Sequence, residues 1–168
     1  MRCHRSRERL AMLVTNANVY LDIAEEAQAE SERLAKIARR PKPNGDPGVI
    51  VTYDPEQKSF KNSLIAIVFA TMYLETMFYL LGTRQFGSDE YNKEHDRKRL
   101  EVKLLLFDLK DHDLRTAAKR LRERRKDLVH EKADLTANVI YAAQDEAKHA
   151  IELVKTITEK LALSKSRP

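Results

Sequence analysis

The sequence predicts an all-α protein: a single-domain bundle of about five helices, spanning residues 1–168, with one Pro/Gly-rich loop after the first helix. Three observations carry that prediction. Only four glycines and five prolines occur, and most stand together in Pro41-Lys42-Pro43-Asn44-Gly45-Asp46-Pro47-Gly48. Ala, Leu, Glu, Lys and Arg dominate the remainder, as in helical proteins. Apolar residues recur at three- and four-residue spacing along most of the chain. A length of 168 residues suits one substantial core better than two.

The first helix is expected from about Ser6 to Arg39. Leu13, Ala17, Tyr20, Ala24, Ala27, Ser31, Leu34 and Ala38 fall on one face of it. This seam of small residues lets a neighbouring helix approach closely, yet it buries too little area to hold a helix on its own. Pro41 is expected to end the helix and open a loop over 40–56. Within that loop Val49-Ile50-Val51-Thr52-Tyr53 is the only β-branched stretch. It reads as a short strand or an extended loop, either packed on the bundle or paired with a second copy of itself.

The second helix is expected from Pro55 or Glu56 to Leu81, with Gly82 as its stop. Leu64, Ile65, Ile67, Val68, Phe69, Met72, Leu74, Met77, Phe78, Leu80 and Leu81 cover nearly its whole circumference, which places it at the bundle centre rather than across a membrane. A third helix is expected from Ser88-Asp89-Glu90 to about Leu109, turning Leu100, Leu104, Leu105 and Phe107 inward. A fourth begins at Asp111 or Asp113 and carries Leu114, Ala117, Ala118, Leu121, Leu128 and Val129. A fifth begins at Asp134 or Thr136, with Val139, Ile140, Ala143, Ala147, Ala150, Ile151, Val154, Ile157 and Leu161 on one face. Residues 164–168 read as a mobile tail.

The 31 basic and 26 acidic side chains leave a formal charge of +5 and a pI near 9.3, compatible with a polyanionic partner such as RNA. The lone Cys3 makes no internal disulfide, and no apolar core follows the basic N-terminus, so a cytoplasmic setting is the simplest expectation. Neither a metal-ligand cluster nor a phosphate-binding glycine loop is visible. His95, His112 and His149 stand in polar surroundings without ligand spacing, and no cofactor is expected.

One constellation points to chemistry. Arg125 lies four residues after Leu121 and four before Val129, so it interrupts the apolar stripe of the fourth helix and needs a partner. Glu75 is the sole charge between Lys61 and Arg84, and is expected to meet Arg125 or Arg124. The pair would be either a carboxylate orienting a functional arginine or a buried ion pair fixing helix register.

Arg125-Lys126-Asp127-Leu128-Val129-His130 resembles the signature of the HEPN superfamily, an Arg separated by four to six residues from a His near a helix end. The apolar helix with an embedded acid at Met72-Tyr73-Leu74-Glu75 is similar to another feature of that family, and the likeness spans roughly residues 62–161. Lys126 follows the arginine where many members have a polar Asn, and Lys132 stands two residues after the histidine where some have Tyr. The resemblance implies metal-independent RNA cleavage, often in toxin-antitoxin or antiviral conflict, by a homodimer with a composite active site. A neutralising antitoxin protein is a further implied partner.

Under that resemblance Arg125 and His130 are the candidate catalytic residues. Glu75, Asp127 and Arg124 are the supporting ones, and Arg124 also satisfies the permitted spacing to His130. Arg122, Lys126 and Lys132, with Arg124, are candidates for RNA phosphate contacts, or else a solvated helix face. RNA supplies its own nucleophile, the 2′-hydroxyl. The protein then needs a proton carrier, suited to His130, and an anion grip, suited to Arg125. Five residues of ideal helix turn a side chain by about 140°, so the two converge only through a loosened helix end or across a two-fold axis. The alternatives are a catalytically silent dimer that binds RNA, nucleotide or protein, and a structural helical adaptor.

Overall fold

The computed structural model describes residues 2–45, 47–52, 56–129 and 137–165. Among them, six α-helices, one small hairpin and a 3-10 turn at Pro43–Gly45 make up the regular structure, an all-α bundle. Helix α1 spans Arg2–Ile37, α2 Lys58–Phe86, α3 Ser88–Glu94, α4 Leu100–Leu106, α5 His112–Val129 and α6 Ala137–Lys165. Strands β1, Arg39–Pro41, and β2, Val49–Val51, pair antiparallel between α1 and α2. The core forms where α2 packs on α1 and α6, with α3, α4 and α5 closing around it.

Helix α1 packs through the expected seam. Ala17, Ala24, Ala27 and Ser31 are buried, with Tyr20 and Leu21 partly so. Small side chains bring the backbones of α1 and α2 close enough for hydroxyls to bridge them. Ser31 Oγ lies 2.7 Å from Ser63 Oγ and donates to the Ser59 carbonyl at 3.0 Å, while Ser59 Oγ donates to the Ser31 carbonyl at 3.0 Å. Gln144 of α6 donates its amide to Ser59 Oγ, so one buried polar knot ties three helices.

Helix α2 does not stop at Gly82. It continues to Phe86 and ends at Gly87, whose φ of +82° suits glycine and whose N–H caps the Thr83 carbonyl at 3.1 Å. Gly82 serves a different purpose: a Cβ there would stand 1.9 Å from Cε2 of Tyr91, so its bare backbone makes room for that fully buried ring. Tyr91 sits edge-on to Tyr79, with ring centroids 5.8 Å apart. Its hydroxyl is buried without a hydrogen-bond partner among the described residues.

The single third helix expected over 88–109 is two helices. Both His95 and Asp96 N–H groups donate to the Tyr91 carbonyl at 2.9 Å, ending α3. The following Arg97-Lys98-Arg99 offers no apolar residue to bury, and α4 restarts at Leu100 with Arg99 in an extended conformation. Leu100 and Leu104 are buried and Phe107 stacks on Phe78 with centroids 5.5 Å apart. Leu105, expected inward, is exposed instead.

Among the described residues of 40–56 the expected short strand forms, and Val49 and Ile50 are exposed rather than packed on the bundle. Val49–Val51 pairs with Arg39–Pro41, so Pro41 lies in a strand and α1 ends earlier, at Ile37. Helix α2 begins at Lys58, later than expected, and α6 extends to Lys165. That places 164 and 165 in a helix, and 166–168 lie outside the described residues. Helix α2 is also the one helix among the described residues long and apolar enough to cross a membrane, and its packing against α1 and α6 fits a bundle core.

Candidate functional site

Asp111 sets the direction of α5. Its carboxylate accepts the backbone N–H groups of Asp113 at 3.0 Å and Leu114 at 3.2 Å, capping the helix start. The Leu114 N–H, with Lys160 at 3.3 Å assisting, holds its pKa below the ordinary Asp value. Leu114, Ala118 and Leu121 are buried in sequence along one stripe, and the next position on it is Arg125. A long side chain there must leave the core, and it does so toward α2.

Of the two arginines weighed for Glu75, Arg125 is the one that meets it, with Nη1 3.1 Å from Oε1. Burial corrects the rest of that expectation. The side chains are 37% and 47% exposed, because α2 is apolar all round without being covered all round. Ile65 is exposed, Val68, Met72, Thr76 and Tyr79 are half-buried, and Glu75 shares that side of α2. A pair open to water contributes only about 0–1 kcal/mol, so it holds helix register weakly.

The neighbouring cations are mostly engaged. Arg122 reaches Glu101 of α4 through Nε at 3.2 Å and Nη2 at 3.3 Å. Arg124 lies 3.3 Å from Glu146, a buried carboxylate of α6 that Arg120 also grips through two nitrogens. That carboxylate raises the pKa of Arg120. Lys126 is exposed and pairs with no described residue, and Asp127 is half-buried. His130 and Lys132 lie outside the described residues, so the second half of the signature has no described position. Helix α5 is described only to Val129.

Within electrostatic reach of Glu75 lies a residue that the sequence reading passed over. Lys103 of α4 is buried, with Nζ 3.9 Å from an Asp96 carboxylate oxygen. Burial pushes its pKa down, against the opposing pull of Asp96 and then Glu75. The signal was available: Lys103 falls three residues after Leu100 and beside Leu104, within apolar spacing. Glu146 was likewise visible as an acid beside Ala143, Ala147 and Ala150. His95 packs with its ring tilted against Phe86 and Tyr91, while His112 and His149 are exposed. No group of three or more His, Cys, Asp or Glu suited to a metal ion occurs among the described residues.

Chemically, the end of α5 offers a half-exposed guanidinium held by one carboxylate, with the exposed Lys126 ammonium, unpaired among the described residues, one residue on. Such a pair can exchange its carboxylate for another oxyanion at little cost. Compared with known proteins, the chain matches no protein-family model, no curated protein and no solved structure.

Proposed function

We propose that this protein is a metal-independent RNA endonuclease of HEPN type, acting as a homodimer in which Arg125 grips the scissile phosphate and His130 moves the proton. The observation that carries the reading is the half-exposed Arg125–Glu75 pair at 3.1 Å. It supplies a guanidinium that is oriented, yet bound too weakly to resist a phosphodiester. Lys126, open to solvent beside it, suits a second phosphate contact.

Dimerisation is supported by the incompletely covered side of α2. Ile65, Val68, Met72, Thr76 and Tyr79 leave a mainly apolar stripe on the side that carries Glu75. A second copy on that stripe would cover it and bring two Arg125 side chains to one junction. It would also answer the roughly 140° divergence between Arg125 and His130 along an ideal helix.

The engagement of Arg122 with Glu101 and of Arg124 with Glu146 favours a second reading, a dimer that binds RNA without cutting it. The test is incubation of purified protein with single-stranded RNA in chelator, beside Arg125→Ala and His130→Ala. Cleavage abolished in both variants supports the nuclease. Salt-sensitive binding without cleavage supports the second reading, and a monomer without RNA affinity removes both.

A further inference from the structure

The Arg125–Glu75 pair uses little of what either side chain offers. Only Nη1 of the guanidinium reaches Oε1, at 3.1 Å, so Nε and Nη2 of Arg125 and Oε2 of Glu75 make no hydrogen bond among the described residues. Arginine and carboxylate commonly meet through two parallel bonds, as Arg120 with Glu146 and Arg122 with Glu101 do on the same helix. Arg125 is held by one.

Lys103 supplies a second cation to the same acid. Its side chain is 6% exposed, yet Nζ stays 3.9 Å from the Asp96 carboxylate, beyond the about 2.7–2.9 Å of a charge-assisted hydrogen bond. The Asp96 side chain is half-exposed, so water answers much of its charge. Burial pushes the pKa of Lys103 down, and of the two acids that pull it back Asp96 acts first and Glu75 second. Packing fits that reach: Phe107, four residues after Lys103 at the end of α4, stacks on Phe78, three residues after Glu75 on α2. Water and salt screen a buried charge less than a surface one, so this ammonium acts on Glu75 without touching it.

We propose that Lys103 is a positioning residue for the anion grip: it shares the negative charge of Glu75, and so keeps Arg125 loosely held and ready to turn to a phosphate. This role rests on Arg125 being that grip, as proposed above. Two effects act with one sign. In the free protein the two cations repel across Glu75, which lowers the net hold on Arg125. Once Arg125 turns to a phosphodiester, Glu75 alone would be a bare carboxylate beside a second anion, and Lys103 answers that charge. The arginine is thereby aimed without being locked.

The test has two arms, both on the full chain. In the first, without RNA, exchange of the Arg125 guanidinium N–H groups with water is followed by NMR. Lys103→Met is expected to slow that exchange about three- to tenfold by tightening the pair. In a Glu75→Gln background the same substitution is expected to change it by less than about twofold. Asp96→Asn leaves Lys103 more of its charge for Glu75 and is expected to speed exchange about twofold; on a half-exposed side chain it serves as the variant of choice should Lys103→Met fold poorly. In the second arm a fluorescent single-stranded RNA is titrated in chelator and followed by anisotropy. Lys103→Met is expected to weaken binding about three- to tenfold, again only while Glu75 is present. Unchanged or faster exchange in Lys103→Met, or equal slowing with and without Glu75, overturns the proposal. RNA affinity unaltered by Lys103→Met overturns it too, while leaving the function above in place. RNA that fails to bind the wild type overturns that function instead, and the exchange arm still decides whether Lys103 loosens Arg125.

Discussion

Gly82→Ala is the sharpest test of the packing described above, because local and tertiary effects carry opposite signs. Alanine in a helix interior is favoured over glycine by about 1 kcal/mol, so α2 considered alone would gain. In the folded protein the new methyl would stand 1.9, 2.2 and 2.7 Å from Cε2, Cδ2 and Cζ of Tyr91, where carbon atoms settle at about 3.5–4.0 Å. The ring would have to retreat by roughly 1.6 Å, yet it is fully buried and held between Tyr79 and His95. Overpacking costs about 1–3 kcal/mol, and expulsion of the ring approaches the ~3–5 kcal/mol lost when a buried aromatic is truncated. With an overlap this deep the upper range applies, and the net expectation after the helix gain is a loss of about 2–4 kcal/mol.

Urea unfolding followed by far-UV circular dichroism measures that loss, and repeating it in a Tyr91→Ala background isolates its cause. With the ring absent, Gly82→Ala should stabilise by about 1 kcal/mol. The reversal of sign is the readout. Equal effects in the two backgrounds, or a more stable single variant, would refute the account of why α2 carries a glycine four residues before its end.

Tyr91→Phe removes a buried hydroxyl without a partner and should raise stability by about 1 kcal/mol in the same unfolding assay. Burial first, then Asp96 and Tyr79, push the Tyr91 phenol up to about 12 from 10.0. Because the folded protein holds that proton longer than the unfolded chain, this contribution to stability is complete below pH 10 and falls as pH rises toward 12. Unfolding midpoints at pH 9 and pH 11.5 should therefore diverge more in the wild type than in Tyr91→Phe, and parallel shifts would contradict the assignment. Lys103→Met should leave stability unchanged or raise it by about 1 kcal/mol, since it replaces a buried ammonium poorly served by Asp96 at 3.9 Å; a loss above about 2 kcal/mol would mean the charge is better solvated than the geometry indicates. Glu146→Gln should cost about 1–2 kcal/mol by thermal melting, because Arg120 and Arg124 converge on one buried carboxylate but can themselves turn to water.

Much of the bundle was legible because periodicity reports a buried face directly. Ala17, Ala24, Ala27 and Ser31 on α1, and Ala147, Ala150, Ile151 and Val154 on α6, are buried as their spacing predicts. Errors arose where a residue type has two uses. Gly82 reads as a helix stop, and only the approach of Tyr91, nine residues away, distinguishes room-making from termination. The run 95–99 reads as a polar face of one helix, although it is the break between two. Apolar coverage around α2 suggested burial on every side, while Glu75 and Ile65 lie on a side left partly open. At the site, spacing singled out Arg125 and Glu75 but left Arg124 as an equal partner for the acid, and the packing of α5 on α2 pairs it with Arg125. The roles of Glu101 and Glu146 in engaging Arg122 and Arg124 depend on long-range packing that spacing does not encode.

The knot of Ser31, Ser59, Ser63 and Gln144 has a consequence for assembly of the fold. An alanine-lined contact is nearly featureless, so sliding α1 by one turn along α2 would sacrifice little apolar area. The hydroxyls make such sliding expensive: any displaced alignment would strand several dry donors and acceptors at once. Three serines thus act as a detent, selecting one alignment from several that greasy contact alone would leave nearly equal.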